Sequence, residues 1–253
     1  MPLPYGTSEV DAVVFGLEDG LVPLRTAAAW QWAWRPQGPV LGERRVHAAI
    51  RRALREWDRR RWRGLTGKDP PADLAALRAH LAAALAEIAG RPLPEPEVEA
   101  VVRRLLHPAG EVERFPDAAP ALRRLASAGV RTAIATGLPD ESARWLLQRA
   151  GLDASGLIRT GEALPLLPER AAFRALAEAI DVPLAHTAFV GPLFWSDVRA
   201  AARAGMAAVL LDRFDVWPKV RSGRVGSLEA LERSLASGGH GVEPAEAAVE
   251  PGD

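Results

Sequence analysis

Acids and glycines crowd the turn Gly16-Leu17-Glu18-Asp19-Gly20, which closes the apolar run Ala12-Val13-Val14-Phe15. An apolar strand ending in such a turn is where α/β proteins place their chemistry, at the carboxyl end of the sheet. Glu18 and Asp19 carry groups that can hold a divalent cation or act as a general base. The same residues also suit a plainer task, solvating a strand-to-helix turn, and both readings stay open. Thr136 and Gly137 close another apolar run; a hydroxyl and an amide there can hold an anion, or Thr136 simply ends its strand. Asp197 precedes an Ala-rich stretch, as a site residue or as a helix cap. His47, His80, His107, His186 and His240 show no ligand spacing, and the absence of cysteine removes thiolate metal sites, disulfides and a Cys nucleophile. No metal ligand set is read from the residues.

The elements that must position these groups alternate. Apolar runs at 12–15, 131–136, 187–191 and 207–212 read as buried strands, with a shorter one at 156–159. Amphipathic or Ala-rich stretches at 118–128, 140–150, 169–180, 197–204 and 227–236 read as helices, several closed by Gly. This βα alternation predicts a parallel sheet with right-handed crossovers. Between the first strand and the rest lies a different texture. Segment 24–34 looks helical, 36–39 breaks it, and 41–63 is a basic helix whose Val46, Ile50, Leu54 and Trp57 mark the buried face. Helices at 73–89 and 94–106 follow. The last has acids leading and arginines trailing, the order the helix dipole favours. The organisation expected is therefore an α/β core from 1–23 and 110–236, an inserted all-helical unit at 24–109, and a tail at 237–253 whose Gly, Pro, Ala and Glu content predicts disorder.

Composition bounds the rest. The chain has 253 residues, with 32 basic against 32 acidic side chains, so no global field argues for nucleic acid or membrane. Residues 1–9 show no basic start and no apolar core, and no apolar run reaches the length of a spanning helix, so a cytoplasmic location is the expectation. Lys68 and Lys219 are the only lysines.

Three stretches carry a specific frame: DAVVFGLEDGLVPL from Asp11, FPDAAPALRRLASAGVRTAIATG ending at Gly137, and AFVGPLFWSDVRAAARAGM from Ala188. Together they resemble the haloacid dehalogenase (HAD) superfamily. The resemblance implies a HAD-like Rossmannoid three-layer core with a parallel sheet and a helical cap inserted after the first motif. It also implies where the chemistry should sit. Gly16 stands at the family's nucleophilic Asp, Glu18 at its second Asp, Thr136 at the phosphate-binding Ser/Thr, Pro192 at a metal-ligating Asp and Asp197 at the second acid of that motif. The motif that should hold a Lys matches GEALPLLPERAAF from Gly161, which has none; Arg170 is the nearest cation. In the family the first carboxylate attacks phosphorus or carbon and also ligates Mg2+. Glycine can do neither.

These replacements point to a catalytically degenerate member, a pseudoenzyme retained for binding, scaffolding or regulation, without a cofactor, whose partner is another protein or a second copy of the chain. One alternative is a phosphatase-like hydrolase using the displaced acids Glu18, Asp19 and Asp197 with Mg2+. Another is an accessory protein gripping an acidic partner through Arg51, Arg55 and Arg59 of the basic helix, set against the plainer reading of a solvated helix face. Trp30, Trp32 and Trp34 follow the first motif and Trp195 sits in the last. Bulky aromatics are thus expected to fill or reshape the old pocket, to line a dimer surface, to pack cap on core, or to take an apolar ligand. Gly16, Thr136, Gly137, Pro192 and Trp195 are the candidate ligand-binding residues.

Overall fold

The computed structural model describes residues 10–23, 34, 42–70, 74–106, 114–159 and 170–236. The expected helix at 24–34 apart from Trp34, the Lys-less stretch at 161–169, the tail at 237–253 and the junction near 110 lie outside the described residues.

Six parallel strands form one sheet in the order β3-β2-β1-β4-β5-β6. They are β1 (Ala12–Gly16), β2 (Arg131–Thr136), β3 (Leu157–Arg159), β4 (Thr187–Gly191), β5 (Ala207–Leu211) and β6 (Arg224–Val225). The four long strands fall where apolar runs predict them. β6 was not expected, because two residues carry no periodicity. It is a short edge paired to the end of β5. β1 lies at the centre, with Phe15 opposite Ile134 on one side and Val190 on the other. The order runs outward from β1 to β2 and β3, then reverses through β4. This makes the β1/β4 boundary the topological switch point, where such sheets open a crevice at their carboxyl ends.

Alternation along the strands divides the core into two layers. Val14, Ala135, Phe189 and Leu210 face one side, where α6 (Arg170–Ala179) brings Phe173 and Leu176, and Phe173 meets Phe189 edge-on at 5.3 Å. Val13, Phe15, Ile134 and Leu211 face the other, covered by α4 (Ala118–Ser127), α5 (Asp140–Arg149) and α8 (Leu228–Ala236). Helix, sheet and helix thus make three layers, the Rossmannoid arrangement expected.

The insertion is helical where it is described: α1 (Glu43–Leu65), α2 (Leu74–Ala89) and α3 (Glu95–Leu106). α1 and α2 are joined by Trp57 stacked on His80 at 5.7 Å, by Arg45 donating to the Glu87 carbonyl and by an Arg52–Glu87 ion pair. The apolar side of α1, with Val46, Ile50, Leu54 and Trp62, belongs to the same cluster of buried side chains as the α6 face of the sheet.

After β4 the chain departs from expectation. The sequence puts Asp197 at the head of a helix, but helical geometry begins at Phe194. A π-helical turn (Phe194–Arg199) leads into α7 (Ala200–Ala204). Val198 N–H reaches back to the Leu193 carbonyl, which absorbs an extra residue into the turn. Turns of this kind mark positions where a backbone is held for a purpose other than helix stability.

Candidate functional site

The switch point brings Gly16 and Pro192 together. Gly16 ends β1 and Pro192 follows the last residue of β4. A Cβ built on Gly16 would sit 3.6 Å from Pro192 Cδ, an ordinary contact, so the backbone has room for a side chain there. Two partly exposed positions at the mouth of the sheet therefore face each other, and neither offers an oxygen from its side chain.

The turn after Gly16 is closed by its own backbone. Leu21 and Val22 N–H both donate to the Leu17 carbonyl, and Asp19 N–H donates to Val22. Asp19 sits at φ 60°, the left-handed conformation that Asp tolerates better than most residues, and it is fully buried. A Cβ on the next residue, Gly20, would run into the Gly16 carbonyl oxygen. Asp19 thus belongs to a tight buried turn, while Glu18 remains partly exposed beside it.

Glu18 and Thr136 meet across the β1–β2 pair. Thr136 Oγ1 donates to Glu18 Oε1 at 3.0 Å and accepts the Leu138 N–H at 3.1 Å. The hydroxyl therefore ties the end of β2 to the first turn, beyond ending a strand. Gly137, next in the chain, is exposed.

Asp197 is buried and accepts the Leu193 N–H at 3.2 Å, a cap bond made from within the turn. Its carboxylate packs on Gly191, where a Cβ would approach Asp197 Oδ2 to 2.6 Å. Its other oxygen lies 3.7 Å from Arg61 of α1.

A residue that sequence reasoning passed over organises this side of the site. Asp58, on α1, is fully buried and accepts two backbone N–H groups, from Trp195 at 2.8 Å and from Ser196 at 2.7 Å. Burial pushes its carboxyl above the ordinary 3.8; the Trp195 and Ser196 donors and the Arg61 charge oppose that rise without cancelling it. The signal was present in the sequence. Asp58 stands in the run Val46, Ile50, Leu54, Asp58, Trp62, an acid on the buried stripe of an amphipathic helix.

Around Asp58 the aromatics close the seam between insertion and core. Trp195 lies 5.9 Å from Trp62 and 5.1 Å from Phe194, and Phe194 meets Trp217 at 5.8 Å. Arg199 stands 4.8 Å over Trp195 and Arg203 5.3 Å over Trp62. Of the expected aromatics, Trp195 packs the seam and Trp34 is buried in the same cluster; Trp30 and Trp32 lie outside the described residues. Of the three arginines singled out for an acidic partner, Arg55 turns to the core and donates to the Val216 carbonyl at 3.2 Å. Arg59 is exposed and Arg51 partly so.

The donor set does not suit the Mg2+ ion that the sequence resemblance implies. Gly16 and Pro192 supply no side-chain oxygen, Glu18 is bonded to Thr136, and Asp197 is engaged by Leu193 and Arg61. Among the described residues no group of three or more His, Cys, Asp or Glu is placed to hold a metal ion. No helix among them is long and apolar enough to cross a membrane.

A family model described as haloacid dehalogenase-like hydrolase matches residues 10–205. Solved structures share the architecture. A dehalogenase captured with an intermediate complex is 21% identical with a TM-score of 0.66, covering 91% of this chain and 99% of that one. The L-2-haloacid dehalogenase of Xanthobacter autotrophicus is 19% identical with a TM-score of 0.64, covering 90% and 98%. The HAD-hydrolase YfnB of Bacillus subtilis, whose magnesium-bound form reveals interdomain movement, is 17% identical with a TM-score of 0.67, covering 90% and 100%.

Proposed function

The chain belongs to the haloacid dehalogenase-like hydrolase family, and from that premise we propose that it is a member in which covalent aspartyl chemistry has lapsed and the fold is kept for binding, scaffolding or regulation. One observation carries the reading: Gly16 and Pro192 face each other at the mouth of the switch point. A covalent intermediate needs an oxygen nucleophile within about 3–3.5 Å of the reacting atom. A glycine supplies none. Loss of one catalytic nucleophile costs on the order of 10⁶ in turnover where it has been measured for a triad. Pro192, opposite it, stands where the resemblance implies a metal-ligating Asp and offers no side-chain oxygen. The partner is read as another protein or a second copy of the chain.

The test pairs a loss with a gain. The parent is assayed at high concentration with excess Mg2+ on 4-nitrophenyl phosphate and, because some relatives are dehalogenases, for chloride release from 2-chloropropionate. Glu18→Ala/Asp19→Ala protein sets the background. The parent is expected to match that background, and its melting temperature is expected to be unmoved by Mg2+. Gly16→Asp/Pro192→Asp, which puts a carboxylate at each of the two facing positions, is expected to show a saturable rise in melting temperature with Mg2+. Parent turnover that disappears in the Glu18→Ala/Asp19→Ala protein would instead establish a hydrolase working through displaced acids. Glu18, partly exposed and oriented by Thr136, is the observation that favours that second reading.

A further inference from the structure

We propose that Asp58 is a latch which fastens the helical insertion to the segment following β4, so that the seam is held shut by the chain's own carboxylate rather than by a ligand. The first N–H groups of any helix lack intrahelical acceptors, and a side chain at the preceding position usually supplies one. Leu193 holds that position here and has no acceptor to give. Its own N–H is taken by Asp197. The donors of Trp195 and Ser196 are satisfied from a point 137 and 138 residues away, by the two oxygens of one carboxylate on α1.

The contact is one of several made from the same face of α1. Asp58 sits on the same side of α1 as Arg55, Arg61 and Trp62; Arg61 and Trp62 reach Asp197 and Trp195 of the turn that Asp58 also holds, and Arg55 reaches Val216. Lifting α1 breaks all four contacts together, whereas removing the Asp58 carboxylate with α1 in place leaves two buried N–H groups without acceptors. A buried donor left without an acceptor is costly, and Asp58 alone in this set serves two of them. The contact fits a member whose insertion no longer opens and closes over a reacting ligand, but it stands on its own distances and does not depend on that reading.

The chain has no cysteine, so Ala83→Cys on α2 and Ser127→Cys on α4, both exposed, accept a pair of spin labels without background. The labelled parent is expected to give one narrow distance distribution. Adding Asp58→Ala is expected to add a second, broader population. Amide exchange at Trp195 and Ser196 is expected to quicken about 10- to 100-fold, with β1 and β4 amides unchanged. Asp58→Asn, which keeps one acceptor, should fall between. Superposable distributions with unchanged exchange would overturn the proposal. So would equal acceleration in β1 and β4, because Asp58 would then support the whole fold and not the seam. Should Asp58→Ala fail to fold, exchange of the unmodified chain in low denaturant decides. A latch predicts that Trp195 and Ser196 open in an event exposing less surface than global unfolding; opening only through global unfolding refutes it.

Discussion

At the scale of single residues, the first turn shows how a site can keep its course while its functional groups change. Gly16 and Gly20 differ in what they permit. A side chain on Gly16 meets only ordinary contacts, whereas one on Gly20 meets the Gly16 carbonyl oxygen, which belongs to a turn pinned by three backbone bonds. Gly20→Ala is therefore expected to destabilise the chain by about 2–3 kcal/mol, because neither the strand end nor the turn can yield cheaply. Gly226, with nothing within 4 Å of an added Cβ, provides the contrast: Gly226→Ala should change stability by less than about 0.5 kcal/mol. Urea unfolding of both variants beside the parent checks the pair, and equal effects would mean the turn is looser than its hydrogen bonds imply. Gly16→Asp should fold like the parent, which is why it serves as the gain-of-function probe.

At the scale of elements, the buried pair Arg213–Asp117 joins several distant parts of the fold. Arg213 donates to both oxygens of Asp117 at 2.9 and 3.0 Å and to the Gly20 carbonyl, and its guanidinium lies 3.9 Å over the Phe115 ring. Asp117 also accepts the Leu228 N–H at 2.7 Å, at the start of α8. The first turn, the start of α4, the end of the sheet and α8 thus share one charge pair. Arg213→Ala leaves a buried carboxylate with a single donor and is expected to lower stability by about 3–5 kcal/mol. Arg124→Ala, breaking the exposed pair with Glu232 between α4 and α8, should cost less than about 1 kcal/mol. Thermal or urea melts that failed to separate the two would count against the burial argument. Elements of this kind also mark what the sequence could and could not tell. The strands at 12–15, 131–136 and 187–191 were legible because burial on both faces writes a continuous apolar run. The helices of the insertion were legible from their period. The start of the helical segment at Phe194 was not, because its cap comes from Asp58 and not from a neighbour. Local sequence signals report local caps. The juxtaposition of Gly16 with Pro192 could be expected only through the resemblance, since neither residue has chemistry of its own to draw notice.

At the scale of the whole molecule, two bodies of different texture meet along one seam, and the charge buried there sets how that seam answers to pH. Asp58 is faced by Arg61 from its own helix, and the segment packed against it carries Asp197, Arg199 and, farther along, Arg203. Burial raises its pKa above the ordinary 3.8, and the donors and Arg61 only partly offset this. The folded chain therefore holds the Asp58 proton over a range of pH in which the unfolded chain has released it. Stability follows the difference in protons bound by unfolded and folded states, so wherever the folded state holds more, stability falls as pH rises. The contribution of Asp58 should decline as pH climbs from about 3.8 through the folded pKa, and be flat below that range, where both states are protonated. Asp58→Asn has no proton to bind. The stability of the parent minus that of Asp58→Asn, from urea unfolding at steps between about pH 4 and pH 7, should therefore shrink with rising pH. A difference that grew instead would mean that the Trp195 and Ser196 donors and Arg61 overcome desolvation, and that the ionised carboxylate is the favoured form. The expected direction gives the seam a pH dependence of its own, because the join between insertion and core rests on a buried side chain that titrates.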